Sequence, residues 1–190
     1  MTTSGRPGSC ASRKRPTLSP EPPVAVPEAI AQELVAELAR RGLTLAVAES
    51  LTGGLLVAAF IAVPGASAVV RGGVVAYSTP LKHSLLGVDA VLLAERGAVD
   101  PDVAAQMAEG VRLACAVDGV PASIGLSTTG VAGPDPQDGK PAGTVYVAVA
   151  TDTGTRVVGL TIGGSRNTVR ASVVSECLVQ LKVVLTESRD

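Results

Sequence analysis

The sequence is poor in the residues on which several classes of function depend. Of its 190 residues only Phe60, Tyr77 and Tyr146 are aromatic, and none is tryptophan. The net charge at pH 7 is only −1. A chain with so few aromatic side chains for base stacking, and with no basic excess, is not typical of proteins that bind nucleic acids or acidic membrane surfaces. We therefore expect neither nucleic acid nor a membrane as a partner.

Histidine and cysteine are also scarce. His83 is the single histidine, so a metal site built from several histidines is excluded and a histidine-based triad has one candidate. The three cysteines, Cys10, Cys115 and Cys177, form no Cys-x-x-Cys pair and are odd in number. A disulfide framework or a zinc site is therefore not expected, and the composition favours the reducing cytoplasm. We predict no metal and no other cofactor.

Long apolar runs are missing as well. The longest one, residues 55–63, is far shorter than the ~20 residues that a membrane-spanning helix needs. The basic cluster at residues 13–15 is followed by a polar, proline-rich stretch, so a secretory signal is not expected. Residues 1–26 are rich in Ser, Arg, Pro and Gly without periodicity, which predicts a disordered tail in front of one folded domain over residues 27–187.

Aliphatic residues, in contrast, are abundant, and they alternate between helical and strand-like patterns. Hydrophobic residues make up 46% of the chain and charged residues 17%, which suits one domain with a large core. The order of the elements predicts an α/β layered domain with a mixed sheet. The positive mean hydropathy also favours an interface between copies, and hence a homo-oligomer. Helices are predicted over 27–41, 55–63, 78–87, 91–96, 101–117 and 166–185, and strands over 43–48, 68–77, 122–128, 144–150 and 156–162.

The passage from the first strand to the second helix concentrates polar chemistry. Glu49, Ser50, Thr52, Gly53 and Gly54 lie within six residues. The free N–H groups at a helix start favour negative charge, and glycines let a ligand approach the backbone closely. Such N–H groups would also suit a developing oxyanion. Ser50 could therefore be a nucleophile, or it could simply cap the helix.

Lys82 is the candidate base for Ser50. Serine at its ordinary pKa is a poor nucleophile, and a Ser–Lys pair can replace Ser–His. Lysine acts as a base near neutral pH only if its pKa falls from ~10.4 to ~7–8, which disfavours the ammonium form by about 4 kcal/mol and requires burial or a cationic neighbour. The neighbours Leu81, Leu85 and Leu86 are apolar enough for burial, while a solvated lysine on a helix surface is the alternative. Tyr77 precedes this helix at the end of a strand.

Two further segments place polar groups after strands. Arg166 and Arg170 lie one turn apart at the start of the last helix, where they could clamp a phosphate or be ordinary solvated charges. Residues 129–134 could form an oxyanion or phosphate loop, or a plain turn. If the first three strands are parallel, the loops after them meet at one edge of the sheet. His83 is left outside this predicted site.

Five short motifs, taken in order, resemble the CinA C-terminal domain family, the nicotinamide-nucleotide amidohydrolases. Each motif alone is a weak signal, but the ordered set is specific and runs over about residues 28–186. The motifs are Ala48-Glu49-Ser50-x-Thr52-Gly53-Gly54, Tyr77-Ser78-x-x-x-Lys82, Gly97-Ala98-Val99, Gly130-Val131-Ala132-Gly133-Pro134 and Lys140-Pro141-x-Gly143-Thr144-Val145.

The resemblance implies a three-layer α/β/α sandwich with a mixed, mostly parallel sheet of about five strands. It implies hydrolysis of nicotinamide mononucleotide to nicotinate mononucleotide and ammonia, in pyridine-nucleotide recycling. Ser50 would be the nucleophile and Lys82 its base, with Tyr77 close by. Substrate-binding positions are then expected at Glu49, Thr52, Gly53, Gly54, Thr129, Gly130, Arg166 and Arg170.

Three departures from the family pattern bear on this expectation. Leu51 stands where cysteine is usual, which leaves serine as the working group. Thr79 replaces a common asparagine and bears on how Lys82 is oriented, and the loop at 135–139 is shorter than usual and bears on substrate specificity. Two alternatives stay open: a catalytically silent nucleotide-binding or regulatory module for competence or DNA-damage responses, and an amidase for another small amide.

Overall fold

The computed structural model describes residues 28–188 together with Met1. The predicted tail therefore lies, apart from Met1, outside the described residues. Within residues 28–188 the chain alternates helices and strands in the predicted order.

A five-stranded mixed sheet forms the centre of the described part of the chain. Its order is β2-β1-β3-β4-β5. β1 pairs in parallel with β2 and with β3, whereas β4 is antiparallel to both β3 and β5. Four of these five strands thus run in one direction. The strands are β1 (Leu45–Glu49), β2 (Val70–Val75), β3 (Ile124–Gly130), β4 (Thr144–Ala150) and β5 (Thr155–Thr161).

Helices cover both faces of the sheet, which confirms the predicted three-layer sandwich. α1, α2 and α6 pack on one face, and α3, α4 and α5 pack on the other. A short 3₁₀ turn precedes β2, and α5 ends three residues earlier than the sequence pattern predicted. The helices are α1 (Glu28–Arg41), α2 (Leu55–Ile61), α3 (Thr79–Leu86), α4 (Ala90–Arg96), α5 (Pro101–Ala114) and α6 (Arg166–Glu187), with the 3₁₀ turn at Ala66–Ala68.

The two faces of the sheet differ in side-chain size. On β1, Leu45 and Val47 point into the core under α1, α2 and α6. Ala46 and Ala48 point to the opposite face, where α5 lies. Successive strand residues face opposite sides, so this alternation places large residues on one face and small ones on the other. The small face lets the backbone of α5 approach the sheet closely.

Gly125 on β3 is essential to that close approach, and Gly125→Ala is expected to destabilise the fold by about 3 kcal/mol or more. A Cβ at this position would overlap the backbone oxygen of Ala108 on α5, which cannot move as a flexible side chain would. Thermal unfolding should show a melting temperature lower by roughly 10 °C. Gly163→Ala is the matched control, because a Cβ there meets no atom within 4 Å. Equal melting temperatures for the two variants would contradict this account of the packing.

The carboxyl ends of β1, β2 and β3 lie at the same edge of the sheet because these strands are mutually parallel. The register pairs Glu49 with Val75 on one side and with Thr128 on the other. Each strand is followed at this edge by one of the polar segments singled out above. Such an edge is where open α/β sheets bind ligands.

Candidate functional site

A cavity of about 310 Å³ opens at the carboxyl ends of the parallel strands. Its walls are the segments that follow β1 and β2, the end of β3 and the loop after it, the connection between α4 and α5, and the start of α6. The cavity brings together six of the predicted site residues: Ser50, Tyr77, Lys82, Thr129, Gly130 and Arg166.

Ser50 and Lys82 form a buried hydrogen-bonded pair. Lys82 Nζ donates to Ser50 Oγ over 3.1 Å and to the carbonyl oxygen of Ala76 over 2.8 Å. Lys82 is 1% exposed and Ser50 8% exposed, although both line the cavity. α3 begins at Thr79 with Pro80 in its first turn, where proline is well tolerated, and it brings Lys82 to Ser50. The solvated-lysine alternative is therefore wrong.

Burial lowers the pKa of Lys82 from 10.5 to about 8, while the carboxylate of Asp138 acts in the opposite direction. Among the described residues no carboxylate forms an ion pair with this lysine. Moving an ammonium group out of water disfavours its charged form, and here burial outweighs the attraction of Asp138. Around pH 8 a large share of the molecules thus carries a neutral amine beside Ser50 Oγ.

Glu49, not Ser50, caps α2. Its buried carboxylate accepts hydrogen bonds from the N–H groups of Gly54 (2.9 Å), Leu56 (3.0 Å) and Val57 (2.9 Å). The negative charge lies at the positive end of the helix, where it is favoured. The capping role predicted as the alternative for Ser50 is therefore wrong. The expectation that the start of α2 offers N–H groups to a ligand is also wrong, since Glu49 occupies them.

The serine loop, defined here as residues 50–54, is bound by Arg170 on α6, which does not line the cavity. Arg170 Nε donates to the carbonyl oxygen of Leu51 over 2.9 Å, and its Nη2 donates to that of Thr52 over 2.8 Å. Gly53 and Gly54 have left-handed φ angles of 58° and 97°, which L side chains rarely adopt, so the turn requires glycine.

Five residues predicted to bind substrate therefore support the serine loop and do not line the cavity. Thr52 Oγ1 is hydrogen-bonded to Thr128 Oγ1 over 2.8 Å in the interior. The five are Glu49, Thr52, Gly53, Gly54 and Arg170. Glu49 binds N–H groups, Arg170 binds carbonyl oxygens of the loop, and Thr52 binds a hydroxyl. Gly53 and Gly54 adopt the φ angles that the turn requires.

Arg166 and Tyr77 lie together at the mouth of the cavity. Arg166 donates to the hydroxyl of Tyr77 and to the carbonyl oxygen of Gly133, each over 2.9 Å. Tyr77 is 58% exposed and makes no hydrogen bond to Ser50 or Lys82. Arg166 thus reaches the cavity, whereas Arg170 one turn later reaches the serine loop, so the two guanidinium groups do not form a common clamp.

Thr129 is held by a segment that sequence reasoning did not place in the site. Its hydroxyl donates to the carbonyl oxygen of Ala98 over 2.5 Å. Ala98 and its neighbour Val99 also line the cavity. The hydroxyl proton of Thr129 is already engaged, so this side chain offers no free donor in this arrangement. The motif Gly97-Ala98-Val99 was the sequence signal for this contact.

Asp138 is a second group that sequence reasoning missed. Its carboxylate lies 3.5 Å from the N–H of Ala98 and packs so tightly on Gly97 that a Cβ there would meet it at 3.0 Å. Residues 131–137 in front of it line the cavity, with a cis peptide between Gly133 and Pro134. The sequence shows Asp138 as an acidic residue in the loop at 135–139. Its approach to Lys82, however, depends on how that loop folds.

The described residues contain no group of three or more His, Cys, Asp or Glu side chains that could hold a metal ion. His83 lies outside the cavity lining, with its Nδ1 2.7 Å from the carbonyl oxygen of Val88. None of the helices in residues 28–188 combines the length and the apolar character that crossing a bilayer requires. At the wall of the cavity Ser50 and Lys82 are the side chains joined by a buried hydrogen bond.

Comparison with known sequences gives a consistent family. The sequence profile of the CinA C-terminal domain matches residues 27–185. A CinA-like protein of Frankia casuarinae is 49% identical over 141 residues, covering 74% of this chain and 31% of that protein. A putative competence-damage inducible protein of Geobacillus sp. is 46% identical over 144 residues, covering 75% of this chain and 33% of that protein. This chain thus spans about a third of the length of these relatives.

Solved structures share the fold. The crystal structure of a competence-damaged protein (CinA) superfamily protein from Klebsiella pneumoniae superposes with a TM-score of 0.79 at 30% sequence identity. The superposition covers 84% of this chain and 98% of that one.

Proposed function

The chain belongs to the CinA C-terminal domain family, and from this premise we propose that it is a nicotinamide-nucleotide amidase. It would hydrolyse nicotinamide mononucleotide to nicotinate mononucleotide and ammonia, in pyridine-nucleotide recycling. The observation that carries the proposal is the 3.1 Å hydrogen bond between Lys82 Nζ and Ser50 Oγ, buried yet at the wall of a cavity. A lysine with a pKa of about 8 is suited to take a proton from serine near neutral pH.

In the proposed mechanism the neutral Lys82 amine accepts the proton of Ser50 as Oγ attacks the carboxamide carbon. The resulting tetrahedral intermediate collapses when the Lys82 ammonium returns that proton to the leaving nitrogen, which departs as ammonia. An ester to Ser50 remains. Lys82 then takes a proton from a water molecule that attacks the ester, and returns it to Ser50 Oγ as the product leaves as a carboxylic acid, which loses its remaining proton to solvent.

Arg166 is proposed to bind the phosphate of the substrate. Its guanidinium lies at the mouth of the cavity, and its bonds to Tyr77 and Gly133 fix its orientation. A planar guanidinium pairs well with phosphate oxygens. Tyr77 then serves as a positioning residue at the mouth, and Gly130 as part of the wall.

Arg166→Gln is expected to raise the KM for nicotinamide mononucleotide about 10- to 100-fold, since a charged hydrogen bond contributes roughly 1.5–3 kcal/mol. Hydrolysis of the riboside, which lacks the phosphate, should change little. Ammonia release from both substrates measures the effect. Arg156→Gln is the matched control, because Arg156 lies on the surface beside Glu187. If the wild-type protein hydrolysed the mononucleotide and the riboside at equal rates, the proposed binding of the phosphate by Arg166 would be contradicted.

A second candidate is a catalytically silent nucleotide-binding or regulatory module. The relatives named competence-damage inducible favour it, because their name refers to a response and not to a reaction. This candidate predicts nucleotide binding by calorimetry without ammonia release. An amidase acting on another small amide would be recognised by turnover of that amide but not of the mononucleotide.

Two further parts of the proposal concern the setting of the reaction. The thiols of Cys115 and Cys177 are free, which fits a reducing cytoplasm. The exposed apolar side chains of Val75, at the end of β2, and of Leu81 and Leu85, on α3, support the predicted homo-oligomer.

A further inference from the structure

The serine loop is tethered on both sides by charged groups. On the α2 side the carboxylate of Glu49 holds the N–H of Gly54, at the end of the loop, and those of Leu56 and Val57 in α2. On the α6 side the guanidinium of Arg170 holds the carbonyl oxygens of Leu51 and Thr52. The loop that carries Ser50 is therefore fixed by one anion and one cation, neither of which lines the cavity.

Arg170 is committed to this loop. Within the described part of the chain it forms no ion pair, and its hydrogen bonds to Leu51 and Thr52 both end on the serine loop. A guanidinium presents its donors in a rigid planar fork, so two successive carbonyl oxygens bound to it are fixed relative to each other. Lysine, with a single ammonium, has no such fork. The contact therefore orients the backbone of the loop as well as attracting it.

The orientation of these carbonyls bears on the N–H beside the nucleophile. The carbonyl of Ser50 accepts from the N–H of Gly53 over 3.2 Å, and the carbonyl of Leu51 is held by Arg170. The peptide planes on both sides of Leu51 are thereby fixed. The N–H of Leu51 donates to no acceptor found among residues 28–188, and Leu51 lines the cavity.

We propose that Arg170 is a positioning residue that presents the Leu51 N–H, next to Ser50, to the oxyanion of the tetrahedral intermediate. This role rests on the proposed amidase function and deepens it. Preorganised backbone N–H groups are the usual donors to such an oxyanion. The N–H groups at the start of α2 cannot serve, because Glu49 occupies them. The hydroxyl of Thr129 is engaged with Ala98 as well.

Two roles for Arg170 give opposite kinetic signatures. A phosphate-binding arginine would raise KM for the mononucleotide and spare the riboside. A positioning arginine lowers kcat for both substrates equally and leaves KM nearly unchanged. It also lowers the reactivity of Ser50 toward an acylating or sulfonylating reagent that carries no phosphate.

The experiment compares Arg170→Gln, Arg170→Lys and the surface control Arg156→Gln with the wild-type protein. Labelling of Ser50 by phenylmethylsulfonyl fluoride at pH 8, followed by mass spectrometry, is measured beside ammonia release. Arg170→Gln is expected to lose about 100-fold in kcat and a similar factor in labelling rate, in line with the loss of one oxyanion donor. Arg170→Lys should be impaired too, and Arg156→Gln, on the surface beside Glu187, should label at the wild-type rate.

Chemical rescue separates positioning from simple loss of structure. Millimolar guanidinium should restore part of the labelling rate of Arg170→Ala, whereas ammonium at the same concentration should not, because only guanidinium supplies the fork. Folding of each variant is checked by its melting curve, and Arg170→Lys takes the place of any variant that does not fold. Wild-type labelling by folded Arg170→Gln, or a defect in KM alone, would overturn this role. A wild-type protein that neither labels at Ser50 nor releases ammonia would overturn the proposed amidase function, and this role with it.

Discussion

Ser50→Ala is expected to lower ammonia release from nicotinamide mononucleotide by about 10⁴-fold or more, since loss of a serine nucleophile removes the covalent route entirely. Ser50 Oγ is the group that Lys82 reaches at the wall of the cavity. The binding affinity for the mononucleotide should change little, because the phosphate contact is assigned to Arg166. Steady-state ammonia release and calorimetric binding measure the two quantities separately.

The same substitution should leave the fold intact. Removing Oγ takes one hydrogen bond from Lys82, which keeps its bond to the carbonyl of Ala76. Ser84→Ala on the exposed side of α3 is the matched control and should retain full activity. A Ser50→Ala protein that released ammonia at the wild-type rate would exclude Ser50 as the nucleophile and with it the covalent mechanism.

The register of the sheet explains how two residues 32 positions apart become a pair. Glu49 is opposite Val75, and the N–H of Ala76 donates to the carbonyl of Glu49. Ser50 and the end of β2 therefore emerge side by side, and α3 returns Lys82 over that edge. The alternation of helices and strands predicted this parallel edge, so the sequence was sufficient to bring the pair into one region. The 3.1 Å contact itself depends on the registered strands.

Local sequence patterns could not predict which side chains hold the serine loop in place. Acid and hydroxyl side chains both cap helices, so a strand–turn–helix with Glu49 next to Ser50 does not reveal which of them caps α2. The choice is made by a turn through two left-handed glycines, which brings the carboxylate under the helix end. The tertiary geometry, and not the capping propensity of each residue type, therefore decides which side chain caps α2.

The two arginines of α6 illustrate a second limit. A spacing of four residues places Arg166 and Arg170 on the same face of a helix, and the sequence predicted a common role from it. One of them lies beside the end of β2, whereas the other lies beside the serine loop, more than a hundred residues away in the chain. Helical spacing identifies neighbours on a surface, but the partner of each depends on what the helix packs against.

Lys82→Met is expected to lower kcat about 10²- to 10⁴-fold, the usual range for loss of a general acid–base group. The stability of the folded protein should decrease far less than its activity. A pKa lowered from 10.5 to about 8 means that the ammonium form disfavours the folded state by about 3 kcal/mol at pH 7. The variant removes this unfavourable burial, although it also removes the hydrogen bond to Ala76. A melting temperature at pH 7 no lower than that of the wild type, together with lost activity, would distinguish a base from a structural lysine.

The pH dependence follows from the same residue and gives the sharper test. In the proposed mechanism the neutral amine is the active form, so wild-type kcat should rise about tenfold per pH unit below 8 and level off above it. The folded-state pKa lies below the unfolded one, so the wild type should also gain stability relative to Lys82→Met as the pH rises from 8 toward 10.5.

Asp138→Asn removes the carboxylate that raises the pKa of Lys82 and should move the midpoint of the kcat profile to lower pH. Asp152→Asn, on the distant β4–β5 hairpin, is the control and should leave this midpoint unchanged. A flat wild-type profile between pH 6 and 9 would exclude Lys82 as the base, because a base with a pKa of about 8 must titrate within this range.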